Sequence, residues 1–77
     1  MSEIVFLTRD RCRLCVAALP EVERRAARCG HALRVVDVDS DSALRDRFGD
    51  RVPVVLRDGV EVLSGRFGAR AVRGALR

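Results

Sequence analysis

Apolar positions along the chain fall into two rhythms. Residues Ile4-Val5-Phe6-Leu7-Thr8 form a short run with β-branched and aromatic side chains, the signature of a buried strand. After the polar turn Arg9-Asp10-Arg11 the spacing changes. Leu14, Ala18, Val22, Ala26 and Cys29 recur every three or four residues, which predicts a helix with one apolar face. Glu21 stands four before Arg25 on the wet side, a favourable pair, and Gly30 is a natural stop. Pro20 lies inside this pattern. It has no N–H and its ring meets the carbonyl four residues back, so the helix must bend or divide there. The stripe stays in phase on both sides, which predicts a kink.

Beyond Gly30 the rhythm alternates. Residues 33–38 read as a second strand, with Val36 and Val38 set against Asp37 and Asp39. Ser40-Asp41-Ser42 can cap a short helix running to Phe48, with Gly49 ending it. A third strand follows over residues 52–56, then Asp58-Gly59, a type I′ hairpin signal, then a fourth strand over 60–63. Gly65 breaks the chain, and Phe67, Ala71, Val72, Ala75 and Leu76 give a last helix its inner side. The order is β-α-β-α-β-β-α. A strand–helix–strand start implies a right-handed parallel crossover, and the hairpin adds antiparallel strands. The expected α/β architecture is a four-stranded mixed sheet with helices on both faces, one domain over residues 1–77.

Composition agrees and narrows the field. A chain of 77 residues has room for a single core, and 48% hydrophobic with 34% charged residues is ordinary for a globular protein. The longest unbroken apolar run, Leu14 to Leu19, is far short of the ~20 residues that span a bilayer. Met1-Ser2-Glu3 leads straight into the first strand without a basic leader, so the expected location is the cytoplasm, with no membrane partner. Net charge is +4, and all fifteen basic residues are arginine, a bias that a GC-rich genome would impose. Residues 1–35 carry seven Arg against four acids, residues 36–50 two against five, and residues 51–77 six against two. Nucleic-acid binding would call for a continuous basic stripe and aromatic stacking platforms. Three Phe with no Trp or Tyr argue against it.

Chemistry is concentrated at Cys12-Arg13-Leu14-Cys15, between the first strand and the first helix. Three residues apart at a helix start, the two sulfurs share a face and lie close enough for a disulfide. Cys12 falls near the cap, where unpaired N–H groups and the positive end of the helix favour an anion. Arg9, Arg11 and Arg13 surround it against a single Asp10. All three are expected to stabilise the thiolate, which is the nucleophile in disulfide exchange. Cys15, one turn deeper, is expected to stay a thiol until needed. A CxxC opening a helix in a βαβ unit is a redox signal. Two other readings stand beside it. One is a zinc site completed by Cys29 and His31. On an unbroken helix, however, Cys29 would lie ~25 Å from Cys12, beyond any shared ion. The other is a pair of inert core thiols. Cys29 itself fits the apolar stripe, and His31 fits a capping or solvated turn position; neither is given a catalytic role.

The residues Thr8-Arg9-x-x-Cys12-x-x-Cys15, Val36-Asp37-Val38-Asp39, Arg51-Val52-Pro53-Val54 and Gly65 together resemble a glutaredoxin of the thioredoxin fold. They are most similar to the short bacterial glutaredoxin-like proteins, over residues 4–76. The resemblance implies that Cys12 is the attacking thiolate and Cys15 the resolving one, with Arg9 where the family keeps a basic residue. It also implies a cis Val52–Pro53 bond, which would set Pro53 against the sulfurs and offer the backbone of Val52 to an extended substrate. Leu14, Val52, Pro53 and Gly65 become the expected substrate contacts. A plainer reading of Pro53 is an edge proline that starts a strand.

Several residues depart from the family pattern. Arg13 and Leu14 replace the Pro-Tyr of the common active site, and Arg51 the usual Thr. Arg66 and Phe67 stand where glutathione-using members carry a second Gly and an acid, and no acid follows Glu61. These departures argue against glutathione as a dedicated partner and leave another small thiol or thioredoxin reductase as donor. The expected activity is a dithiol–disulfide oxidoreductase, monomeric, with no cofactor and no metal. A non-catalytic redox sensor or adaptor and, more remotely, a zinc module are the alternatives.

Overall fold

A computed structural model describes all 77 residues. The elements are β1 (Glu3–Thr8), α1 (Arg13–Cys29), β2 (Ala32–Asp37), α2 (Ser42–Phe48), β3 (Val54–Arg57), β4 (Val60–Ser64) and α3 (Ala69–Ala75). Single 3-10 turns, Val38–Ser40 and Gly49–Arg51, flank α2. The four strands lie in the order β2-β1-β3-β4. β1 runs parallel to β2 and antiparallel to β3, and β3 pairs antiparallel with β4. This is the thioredoxin-like arrangement expected of the sequence.

Strand alternation divides the core between the two faces of the sheet. Ile4, Phe6 and Val55 turn to one side, where Cys15, Ala18 and Val22 of α1 and Val72 and Leu76 of the α3 region close over them. Val5, Leu7 and Val54 turn to the other and meet Val38 and Phe48. No buried residue is polar or charged. Asp58 and Gly59 both take positive φ, 50° and 85°, as the hairpin signal requires.

Several local expectations need correction. The inner stripe of α1 begins at Cys15; Leu14 is only half-buried and packs on neither cluster. α1 runs undivided through Pro20, as the continuous stripe predicted, with the proline on its exposed side. Val38 leaves the strand for the turn that follows, because its side chain fills the core beneath α2. Gly49 ends α2 after Phe48 as expected, but it does so buried and right-handed (φ −53°), and the chain passes directly into a 3-10 turn. Ala71 faces solvent, so Val72 and Leu76 are the residues that seat α3.

Candidate active site

β1 ends at Thr8, and a two-residue turn carries the chain into α1. Arg11 makes that turn possible only by taking a left-handed backbone, φ 61°, uncommon for a residue with a side chain. Cys12 follows as the N-cap of α1, extended at φ −94° and ψ 101°. Its Sγ accepts the backbone N–H of Cys15 at 3.1 Å, the capping contact that Ser or Asp usually supplies through oxygen. The two cysteines are joined as a disulfide with their Cα atoms 5.2 Å apart. Cys12 is half-buried and lines a surface depression of about 300 Å³ with Arg11, Arg13 and Val16, whereas Cys15 is only 3% exposed.

The ends of β3 and β4 lie at the same end of the sheet as the cysteines. Leu7 pairs with Val54, and Val54 with Ser64, so the residues just beyond these pairs gather at the same end of the sheet as Cys12. Val52–Pro53 is a cis peptide, as the resemblance implied, and Pro53 is buried. Val52 lies outside the strand and packs against both clusters. Gly65, at φ 71°, donates its N–H to the carbonyls of Pro53 (2.8 Å) and Arg51 (3.1 Å). These bonds tie the proline turn to the end of β4. Arg51 adds a second tether through its ion pair with Glu61 and lies over the Phe48 ring, 5.4 Å from its centroid. The carboxyl of Glu61 is held below its ordinary range chiefly by the hydrogen bond from Arg51.

The three flanking arginines differ in role. Arg11 and Arg13 are exposed beside the sulfur of Cys12. Arg9 does not line the depression. Its guanidinium grips Asp39 through two nitrogens, 2.8 and 3.2 Å, and donates to the Gly49 carbonyl at 3.1 Å. These contacts join β1 to the segments around α2, so any support of the thiolate by Arg9 would come from a guanidinium already paired with a carboxylate. Two residues of this region escaped the sequence reading. Asp39 stands on the wet side of the strand pattern and in the motif that carries the resemblance, but neither gives it a partner. Val16, 76% exposed beside the depression, was passed over because it falls off the α1 stripe; an apolar residue out of phase was the available signal.

Cys29 and His31 lie at the far end of the unbroken α1, so they cannot share an ion with Cys12 and Cys15. No cluster of three or more metal-ligating side chains occurs. Cys29 is a half-buried thiol outside any disulfide. His31 is a structural clasp. Its Nδ1 accepts the Ser2 N–H at 3.0 Å, which leaves Nε2 to face the carbonyls of Leu76 and Arg77 at 3.3 and 3.2 Å.

Comparison with known proteins places this geometry among relatives. A family profile described as "Glutaredoxin-like domain (DUF836)" matches residues 3–77. Uncharacterized proteins of Mycobacterium tuberculosis and Mycobacterium bovis are 36% identical over 64 residues, covering 77% of this chain. The chain spans 66% of their length. Among solved structures, a structural-genomics target protein from X. campestris is 33% identical with a TM-score of 0.76, covering 92% of this chain and 91% of its own. A mutant thioredoxin from Halobacterium salinarum is 29% identical with a TM-score of 0.72, over 97% of this chain and 71% of its own. Thioredoxin 1 from Thermosipho africanus, 23% identical with a TM-score of 0.71 over 95% and 88%, shares the fold.

Proposed function

The chain belongs to the glutaredoxin-like domain family, and on that premise we propose that it is a dithiol–disulfide oxidoreductase working through Cys12 and Cys15. One observation carries the reading. The two sulfurs of a single disulfide are unequal: Cys12 stands in a basic surface depression with a backbone N–H aimed at its Sγ, and Cys15 is sealed in the core. In the reduced protein that N–H and the start of α1 stabilise negative charge on the Cys12 sulfur, helped by Arg11 and Arg13.

The thiolate of Cys12 attacks one sulfur of a substrate disulfide. The substrate S–S bond breaks, its departing sulfur takes up a proton, and a mixed disulfide to Cys12 remains. The Cys15 thiol then gives up its proton and attacks the Cys12 sulfur, releasing the second substrate thiol and closing the Cys12–Cys15 bond. Two electrons and two protons have passed to the substrate. A small thiol or a reductase dithiol returns them, a supply that a reducing cytoplasm provides. Val16 offers apolar contact beside the sulfur, with Leu14 as a further substrate contact, and the backbone of Val52, outside the sheet ladder, is open to an extended substrate. Pro53 and Gly65 hold that segment in place.

Turnover of a model disulfide with a thiol donor tests this. Cys12→Ser should abolish it, and Cys15→Ser should accumulate a mixed disulfide visible by mass spectrometry. Peptide-resolved alkylation of the reduced protein should show Cys12 reacting well below the ~8.5 of an ordinary thiol, and Cys29 not. Slow alkylation of Cys12 together with absent turnover would sink the proposal.

A further inference from the structure

Of the thirteen arginines outside the redox site, Arg34, Arg45, Arg47 and Arg66 are scattered over the surface, and the other nine fall into two groups. Arg9, Arg24 and Arg51 are ion-paired, and Arg57 donates to Ser2 and to the carbonyls of Ala75 and Arg77. A second set is gathered where α1 packs on α3. Arg25 and Arg28 come from the last turns of α1, and Arg70, Arg73 and Arg77 from α3 and the residue shortly after it. None of these five guanidinium groups makes an ion pair or a side-chain hydrogen bond. Two hollows of about 160 and 440 Å³ share Arg25 and Arg73. The larger is walled by Arg25, Arg70, Arg73, Gly74 and Arg77, without one apolar side chain.

Five like charges meet here with a single carboxylate, Glu21 on the wall of the smaller hollow, which is unfavourable, and one detail adds to it. The Nε–H of Arg25 is buried with no acceptor, and an unsatisfied buried donor on a charged group is costly. The acids of α1 do not relieve this. Glu21 is taken by Arg24, and Glu23, two residues before Arg25, projects roughly 200° around the helix. The C-terminal side of the groove is nonetheless held in place, since His31 and Arg57 both bind the Arg77 carbonyl. Arg25 lies ~20 Å along α1 from Cys12, so the groove is separate from the redox centre.

We propose that the arginine groove between α1 and α3 is a binding site for a small oligophosphate, an anion of two or more linked phosphates. Planar guanidinium forks match phosphate oxygens two at a time. The larger hollow is within the size range of small-ligand sites. It has no aromatic or aliphatic wall for a nucleobase or an acyl chain. A protein partner would need an apolar centre to its interface, and here Val72 is already buried in the core. A nucleic acid would need arginines tracking along a backbone, whereas these converge on one corner.

Isothermal titration calorimetry of the full chain with sodium tripolyphosphate, at about 0.15 M salt, reads the proposal directly. One saturable site per chain is expected. Arg25→Gln/Arg73→Gln should weaken it about a hundredfold, and Arg34→Gln, exposed on β2, should leave it unchanged. Arg28→Gln/Arg70→Gln, checked for folding by circular dichroism, provides a second disabled groove with the same expectation. Absence of a saturable heat overturns the proposal, as does equal weakening in Arg34→Gln, which would mean diffuse attraction to net charge. Tighter binding of a short oligothymidylate that displaces tripolyphosphate would also overturn it, in favour of a nucleic-acid surface. None of these readouts depends on thiol chemistry.

Discussion

Arg9 shows how far a single side chain can be read from its neighbours in sequence. Its place three residues before Cys12 suggested a partner for sulfur, yet its guanidinium closes a bridge across 30 positions to Asp39. Only the parallel pairing of β1 with β2, Thr8 beside Asp37, brings the two together, and that register cannot be inferred from local spacing. Both side chains are about a third exposed, so water and salt discount the pair. Arg9→Ala and Asp39→Ala should each lower stability to urea by about 1 kcal/mol. The double variant should cost little more than either alone, because both remove one interaction. Alkylation of Cys12 in Arg9→Ala should keep the parental pH profile; a shift toward that of an ordinary thiol would return Arg9 to the sulfur.

At the scale of elements, α1 carries a proline eight positions in without being divided. Its buried residues Cys15, Ala18, Val22 and Ala26 lie on one side and Pro20 on the other, so core packing holds the helix while the local backbone loses a hydrogen bond to the Val16 carbonyl. Pro20→Ala restores that donor and removes the ring. It should raise stability by about 1–3 kcal/mol in chemical denaturation, with turnover unchanged. The main elements were legible because strand alternation and helical spacing are strong in Ile4–Thr8, Val22–Ala26 and the Asp58-Gly59 hairpin. What was missed lies at junctions. Gly49 ends α2 where its place suggests, but nothing local showed that it would be buried and right-handed, with its carbonyl accepting from Arg9. Leu14 looked like core, but a shift of one residue in phase gives that place to Cys15. The CxxC at a helix start was plain in the sequence; the depression beside Val16 was not, since it is made by side chains that leave the apolar stripe.

Across the whole molecule the two ends of the sheet have different tasks. One gathers the cysteines and the proline turn. The other is stitched by polar contacts: Ser2 to His31, Glu3 to Asp58 in both directions, and Arg57 to the carbonyls after α3. The Glu3 N–H, with help from Ser2, holds the Asp58 carboxyl below its ordinary range. Glu61 is held low as well, by Arg51. A carboxyl whose pKa is depressed on folding contributes stability above its unfolded value, near 4, and loses that contribution as pH falls through the folded value. Resistance to urea should therefore decline on acidification below about pH 4. Asp58→Asn and Glu61→Gln should each make that decline shallower, when titrations near neutrality are compared with titrations in acid.

The burial of Cys15 has a consequence for oxidative damage. Hydrogen peroxide meeting the reduced chain reaches the sulfur of Cys12 and converts it to a sulfenic acid. The sheltered thiol beneath then condenses with it, expelling water and forming the disulfide before a second peroxide can drive the sulfur to an irreversible acid. Mass spectrometry after peroxide treatment should find the loss of two hydrogens in the parent and added oxygens on Cys12 in Cys15→Ser. The buried sulfur would thus keep each encounter with an oxidant reversible.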